Sequence, residues 1–383
     1  MKFILDGQLD RDLINKIKEE NLPVSHIIMH VPNNPMGNGS IFLPPNQITF
    51  DDFKSLTQLV QDNGIIPIAG LDSTCQGNFE AHAEHYKGIM SLLKNLQELG
   101  YNDILLSSPN NVGFFKENYP GAKIYLSYAQ YTTSTNRAKI FNDVGAHSLI
   151  LHPDVIRSFG VLKGFIQMRD RKDGSELLDF IIPLNIGCNW GCIYWYQHHN
   201  LQSHRTINSP VFPEQTNISD IENGFDYPLL NCWKNRLKRP ENILKSGWIS
   251  PYNITDYINL GYDKFYFSSY KMSNDFVINA LKSFKEGKID KNFLDLISIP
   301  YPYGDYWKDD YKLSSFFEFD SDLVKDFCEQ IPYGEHYPQE LKIDKYCNEF
   351  SKKITIKNQD LREKVLDMIA DKINKIEKGT VQR

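Results

Sequence analysis

Two cysteines four residues apart, Cys188 and Cys192 in NIGCNWGCIYWYQHHN (185–200), precede the adjacent histidines His198 and His199. A CxxxCxxC loop can hold a four-iron cluster by three thiolates and leave one iron open, but here the third position is Trp195. Either the loop is a relic, or its other ligands come from elsewhere. Cys75, in GLDSTCQGN, and Cys232, in LLNCWKNRLKRP, are the candidates. Four thiolates meeting at one place would select zinc or an iron–sulfur cluster over harder metals. The competing reading is that these are ordinary buried cysteines, among the most buried residue types. Cys328 and Cys347 lie on helix-like segments of the tail and read as core.

Charge gathers near the CxxxC loop. His198, His199, His204 and Arg205 follow it, and Lys234, Arg236, Lys238 and Arg239 follow Cys232. Such cations can tune a cluster or grip an anionic substrate, although the Lys/Arg run is expected to form a solvated loop face. His198 or His204 is assigned proton handling, and Arg205 or Arg137 the binding of a carboxylate. No GxSxG elbow, HExxH helix or P-loop occurs. Cys75 is the one candidate for a protease nucleophile, with Asp72 and Ser73 beside it.

Eight short apolar or aromatic runs must position these groups: KFIL (2–5), HIIMHV (26–31), IIPIAGL (65–71), DILLSS (103–108), KIYLSY (123–128), SLILHP (148–153), FIIPLN (180–185) and KFYFSS (264–269). Between them lie helix-like stretches such as FDDFKSLTQLVQDNG, HAEHYKGIMSLLKNLQELG and TSTNRAKIFNDVG, each closing on Gly as a left-handed C-cap requires. Near-continuous apolar strands are buried on both faces, which makes the sheet parallel. Eight β/α units predict an α/β fold, a (β/α)8 TIM-like barrel, over an open doubly wound sheet, because no GxGxxG follows a strand. Residues 1–290 would form the barrel and 291–383 an α-rich C-terminal extension, with the aromatic YPYGDYWKDDY loop and a terminal helix that packs on the barrel or a partner. In a barrel, Cys75, Cys188, Cys192 and Cys232 all fall in connections after strand C-terminal ends, where sites form.

The totals exclude several classes. The 383 residues are 41% hydrophobic with a net charge of −6, so no global basic field draws the chain to nucleic acid. Six cysteines are too few for a disulfide scaffold. MKFILDGQLDRD lacks a signal-peptide core and no run reaches the roughly 20 residues of a membrane span, so a cytoplasmic protein is expected.

The run LLKNLQELGYNDILLSSPNNVGFFKENYPGAKIYLSYAQYTTSTNRAKIFNDVGAHSLILHPDVI resembles the middle of the collagenase-like, U32-type peptidase family. The matching features are Leu99, Gly100, Asp103, Pro120, Ser127, Gln130, Asn136, Gly145 and Ala146. KSGWISPYNITDYINLGYDKFYFSSYKMSNDFVINALKSFKEG looks like the family's closing β/α unit, and the resemblance covers roughly residues 1–290. It implies a 4Fe-4S cluster on four cysteines, here Cys75, Cys188, Cys192 and Cys232. It also implies oxygen-independent hydroxylation of tRNA, ribosomal RNA or ubiquinone precursors, with prephenate as oxygen donor. The Glu-Gly-Arg that commonly ends the family's last strand is replaced by SSYK (268–271), and no RNA-binding appendage is recognisable, so RNA as substrate is in doubt. The expectation is an iron–sulfur enzyme acting on a small molecule or peptide. The alternatives are a peptidase, or a non-catalytic subunit holding zinc on four cysteines beside a protein partner.

Overall fold

The computed structural model describes residues 1–7, 9–41, 48–170, 178–209, 218–289, 292–331 and 341–379, of which 81, 218–225 and 341–342 are described by backbone alone. Eight strands close a parallel barrel in chain order: β1 (Lys2–Asp6), β2 (Val24–His30), β3 (Ile66–Leu71), β4 (Asp103–Leu106), β5 (Lys123–Leu126), β6 (Ser148–Ile150), β7 (Asp179–Pro183) and β8 (Lys264–Ser268). Each coincides with one of the eight apolar runs. The (β/α)8 expectation holds.

The side-chain period of two explains the barrel's layers. One set of strand residues, Phe3, Leu5, Ile27, Met29, Ile104 and Phe265 among them, packs outward into the helix-covered core. The alternate set, Ile4, Ile28, Ile68, Leu105, Tyr125, Ile150, Ile181 and Tyr266, contributes one residue per strand to a separate inner cluster. Both faces are therefore apolar at mid-strand, as the sequence pattern required. At the N-terminal rim the same inward parity brings polar groups, with Lys264 paired to Asp179 and Tyr125 Oη 3.3 Å from His26 Nε2. At the C-terminal rim, two residues beyond the apolar layer, it brings Asp6 and His30.

The helices that follow the strands are α1 (Arg11–Glu19), α2 (Phe50–Asp62), α3 (Ala83–Glu98), α4 (Pro109–Asn118), α5 (Thr135–Asp143) and α6 (Phe159–Arg169). After β7 come α7 (Trp195–Thr206), α8 (Ile218–Lys238), α9 (Glu241–Lys245) and α10 (Ile254–Asn259), and α11 (Asn274–Glu286) follows β8. Side-chain caps fix their starts: Asp10 accepts from Leu13 N at 2.9 Å, and Ser134 from Arg137 N at 3.3 Å. Gly64 and Gly100 follow α2 and α3 at φ +71° and +77°, the left-handed conformation expected of them.

The extension carries α12 (Leu313–Phe316), α13 (Ser321–Gln330), α14 (Leu341–Ser351) and α15 (Gln359–Glu377). A two-stranded ribbon joins β9 (Phe317–Glu318) to β10 (Thr355–Ile356). The expected boundary at 290/291 falls outside the described residues. The terminal helix α15 packs along α8. Cys328 and Cys347 are buried in the core. Trp248 is ringed by Phe293, Phe319 and Phe327 of the extension, with centroids 4.5, 6.2 and 5.7 Å away. Arg157 stacks on Trp248 at 4.2 Å and donates to the Leu244 and Trp248 carbonyls. Beyond α11 the chain also bonds to the end of β7: Ser298 N donates to Asn185 O at 2.8 Å and Gly187 N to Ser298 O at 2.9 Å. Among the described residues no helix is long and apolar enough to cross a membrane.

Candidate functional site at the barrel mouth

The C-terminal rim holds a buried acid–base network. His30 Nε2 lies 2.8 Å from Asp6 Oδ1, and Tyr266 Oη donates to Asp6 Oδ2. Asp72, just past β3, accepts from Ser127 Oγ and from Gly39 N, each at 3.1 Å. Burial alone would pull the His30 imidazole down, but the Asp6 carboxylate outweighs it, helped by Asp72, so its pKa is raised. Burial raises Asp72, with His30 offsetting and Asp6 reinforcing the shift. Gly70 makes the network possible: its position faces inward beside His30, and a Cβ there would meet His30 Nδ1 at 2.6 Å.

Above this network lies α7, whose buried residues are Trp195, His198, His199, Gln202 and Ser203. They follow the i, i+3, i+4, i+7, i+8 spacing of one helical face. Core helices normally bury Leu or Ile there, whereas this one buries two imidazoles. His199 Nδ1 is 2.6 Å from the Gly39 carbonyl. A carbonyl can only accept, so Nδ1 carries the proton and neutral His199 presents the lone pair of Nε2. Burial pushes His199 down to about 4 and, with His199 and Arg236 adding to it, His198 to about 3, so both are neutral at pH 7. Neither Nε2 has a hydrogen-bond partner among the described residues.

Three of the four candidate thiols meet here. Cys188, Cys192 and Cys232 border one small cavity of about 20 Å³ together with Trp195, His198 and His199. Cys192 and Cys232 also face an outer cavity of about 470 Å³, edged by Lys234, Lys238 and Arg239. All three are free thiols. Burial raises Cys188 well above the usual thiol range, with Cys192 and Cys232 adding to it, and holds Cys192 at about 11. One turn after Cys232 on α8, Arg236 is fully buried and donates to the Cys232 sulfur and to the Gly187 carbonyl. That corrects the expectation of a solvated Lys/Arg run: Lys238 and Arg239 are exposed, but Arg236 points inward because helical spacing puts it on the face of Cys232.

The other expected site residues are placed apart from that cavity. Cys75 Sγ lies 3.2 Å from His204 Nε2, on the far end of α7. Arg205 stacks over Tyr303 at 4.4 Å, and Tyr303 Oη reaches Gln202 Oε1 at 3.1 Å. Arg137, on α5, lies over Phe141 at 5.7 Å and borders neither thiol-lined cavity. Among the described residues no three His, Cys, Asp or Glu side chains form a ready metal-ion site. The donor types nevertheless suit a soft metal: three thiols and two imidazoles, of which His199 has its Nε2 lone pair unshared.

Asp6, His30 and Tyr266 were not singled out from the sequence as site residues, and Arg236 was named only within a basic run expected to be solvated. The signal was present for Asp6 and His30: each is the last residue of its strand, on its inward parity, where (β/α)8 sites are built, whereas Tyr266 lies mid-strand in the inner layer. Buried polar aromatics tie the two groups together. Tyr128 stands 5.5 Å from Tyr266 and 5.8 Å from His199 by ring centroids.

A relative from Methanocaldococcus jannaschii, an uncharacterized protease, is 22% identical over 303 residues, spanning 76% of this chain and 84% of its own. A solved U32 peptidase is 17% identical, covering 56% of this chain and 85% of that one at a TM-score of 0.44. The resemblance to the U32 peptidases stands. A thiamine phosphate pyrophosphorylase from Pyrococcus furiosus, at 12% identity and a TM-score of 0.35, covers 75% of this chain and 94% of its own. No protein-family model matches the chain. The closed strand order of the structure, rather than these distant likenesses, carries the barrel assignment.

Proposed function

We propose that this chain is a U32-type enzyme that holds an iron–sulfur cluster through Cys188, Cys192 and Cys232. It would perform oxygen-independent hydroxylation, or a related redox modification, of a small molecule or peptide in the barrel mouth. The observation that supports this is the gathering of three free thiols from the β7 connection and α8 around one cavity, beside two neutral imidazoles. When bound, the cluster would supply or accept electrons at the wall of the mouth. Cys75, lying against His204, is left outside the ligand group in this reading.

The protein's own residues account for the rest. His30, held by Asp6, can give up or take a proton at the floor of the mouth, and Tyr266 fixes the carboxylate that holds it. Neutral His199, its Nδ1 proton donated to the Gly39 carbonyl, keeps an unshared Nε2 beside the thiol-lined cavity. Arg236 neutralises part of the thiolate charge and fixes Cys232 on its helix. Arg205 remains the anion-binding candidate beside Gln202 and Tyr303.

A peptidase is the second reading, favoured by the name of the M. jannaschii relative. One preparation separates the two. Protein purified without oxygen should be brown, with a broad band near roughly 400 nm and iron and sulfide in stoichiometric amounts. Colourless, metal-free protein that cleaves peptides would favour the peptidase, and stoichiometric zinc without sulfide would point to a structural metal site.

A further inference from the structure

Next to the mouth, behind a wall formed by Tyr270 and Tyr301, a second cavity of about 440 Å³ opens between the end of β8, the start of α11 and the extension. That volume suits a small organic ligand. Its inner wall is apolar, with Phe276, Leu294 and Ile297, and its rim carries Lys271 and Lys312 with one carboxylate, Asp295. Tyr270 packs into the inner cluster of the barrel while also lining this cavity.

Lys271 is unusual in its backbone. Its φ is +56°, a left-handed conformation that a residue with a Cβ rarely adopts. The turn it makes hangs the ammonium 4.7 Å over the Tyr301 ring. Neither Lys271 nor Lys312 forms an ion pair among the described residues, and the two like charges share one rim. Partial burial lowers the Lys271 pKa; Asp309 offsets this in part and Lys312 lowers it further. An anion between the ammoniums would relieve that repulsion.

We propose that this cavity binds a small organic anion, a carboxylate or a phosphate ester on an apolar body, with its charged head between Lys271 and Lys312 and its body against Phe276, Leu294 and Ile297. The two ammoniums outnumber the single carboxylate of the lining, Asp295, so the rim favours an anionic head. The loop after the last strand is also where (β/α)8 barrels commonly seat anionic groups. The inference is independent of the thiol site and of any metal there.

Isothermal titration of the full chain with phenylacetate, phenyl phosphate and the neutral 2-phenylethanol tests it. At least one anion should bind, about tenfold or more tighter than the alcohol, and more weakly at high salt. K271M and K312M should each weaken it about tenfold, while K271R retains binding. Preference for phenylacetate assigns a carboxylate and preference for phenyl phosphate a phosphate. Lys312 is exposed, so K312M should leave the fold intact, as circular dichroism can check. Failure of both anions to bind at millimolar concentration would overturn the proposal, as would unchanged affinity in folded K271M and K312M.

Discussion

His30 Nε2 and Asp6 Oδ1 face each other 2.8 Å apart at the ends of two neighbouring strands, both side chains buried. The pair raises the imidazole's folded pKa, so its contribution to stability is complete below the unfolded value of about 6.5 and is lost as pH rises through the folded value. Asp6→Asn should lower the His30 pKa, read by NMR titration, and destabilise the protein by about 3–5 kcal/mol near pH 6. The difference from wild type in urea denaturation should shrink toward alkaline pH. An unchanged gap across the series would sink the pairing.

Gly70→Ala tests the same pair from the other side. The new Cβ would meet His30 Nδ1 at 2.6 Å and push the ring off Asp6, at a cost of about 1–3 kcal/mol. The His30 pKa should fall as in Asp6→Asn, while Gly64→Ala, with nothing near its Cβ, should leave that pKa unchanged despite its strained φ.

Cluster content should separate the thiols. Cys188→Ser, Cys192→Ser and Cys232→Ser should each abolish stoichiometric iron and sulfide, whereas Cys75→Ser should retain them, measured on protein made without oxygen. Retention in all four variants would refute the thiolate site, and loss in Cys75→Ser would restore it as a fourth ligand.

Metal uptake should depend steeply on pH. Cys188 and Cys192 are protonated in the metal-free protein, the latter with a pKa of about 11, so ligation must release protons. Zinc affinity by competition with a chelator should rise by about tenfold per pH unit for each thiol proton released. A flat profile between pH 6 and 8 would exclude these thiols as ligands.

Arg236→Met should be costly out of proportion to its place in a basic run. It removes the donor to the buried Gly187 carbonyl and the charged donor to the Cys232 sulfur, which keeps only Asn189 at 3.7 Å, a loss of about 2–4 kcal/mol in denaturant titration. Arg239→Met, at an exposed position, should cost less than about 0.5 kcal/mol.

The fold was legible because each barrel strand is apolar on both faces and helices such as α2 and α3 close on a left-handed glycine; all eight runs became strands. The site was legible only where chemistry was written in rare residues. Fold reasoning grouped Cys75, Cys188, Cys192 and Cys232 together; the structure sets the last three around one cavity and places Cys75 against His204. Asp6 and His30 looked like the ordinary ends of apolar runs, and only inward parity distinguishes them. Arg236 was hidden by its basic neighbours, since a linear charge run does not tell which side chain turns inward.

The bonds between Asn185, Gly187 and Ser298 give the molecule an order of assembly as well as a shape. The thiol-bearing loop is anchored by chain that follows the whole barrel. During synthesis, therefore, strands can pair while the loop still lacks its anchor. A chain ended before residue 298 would lack the two hydrogen bonds that anchor the thiol-bearing loop.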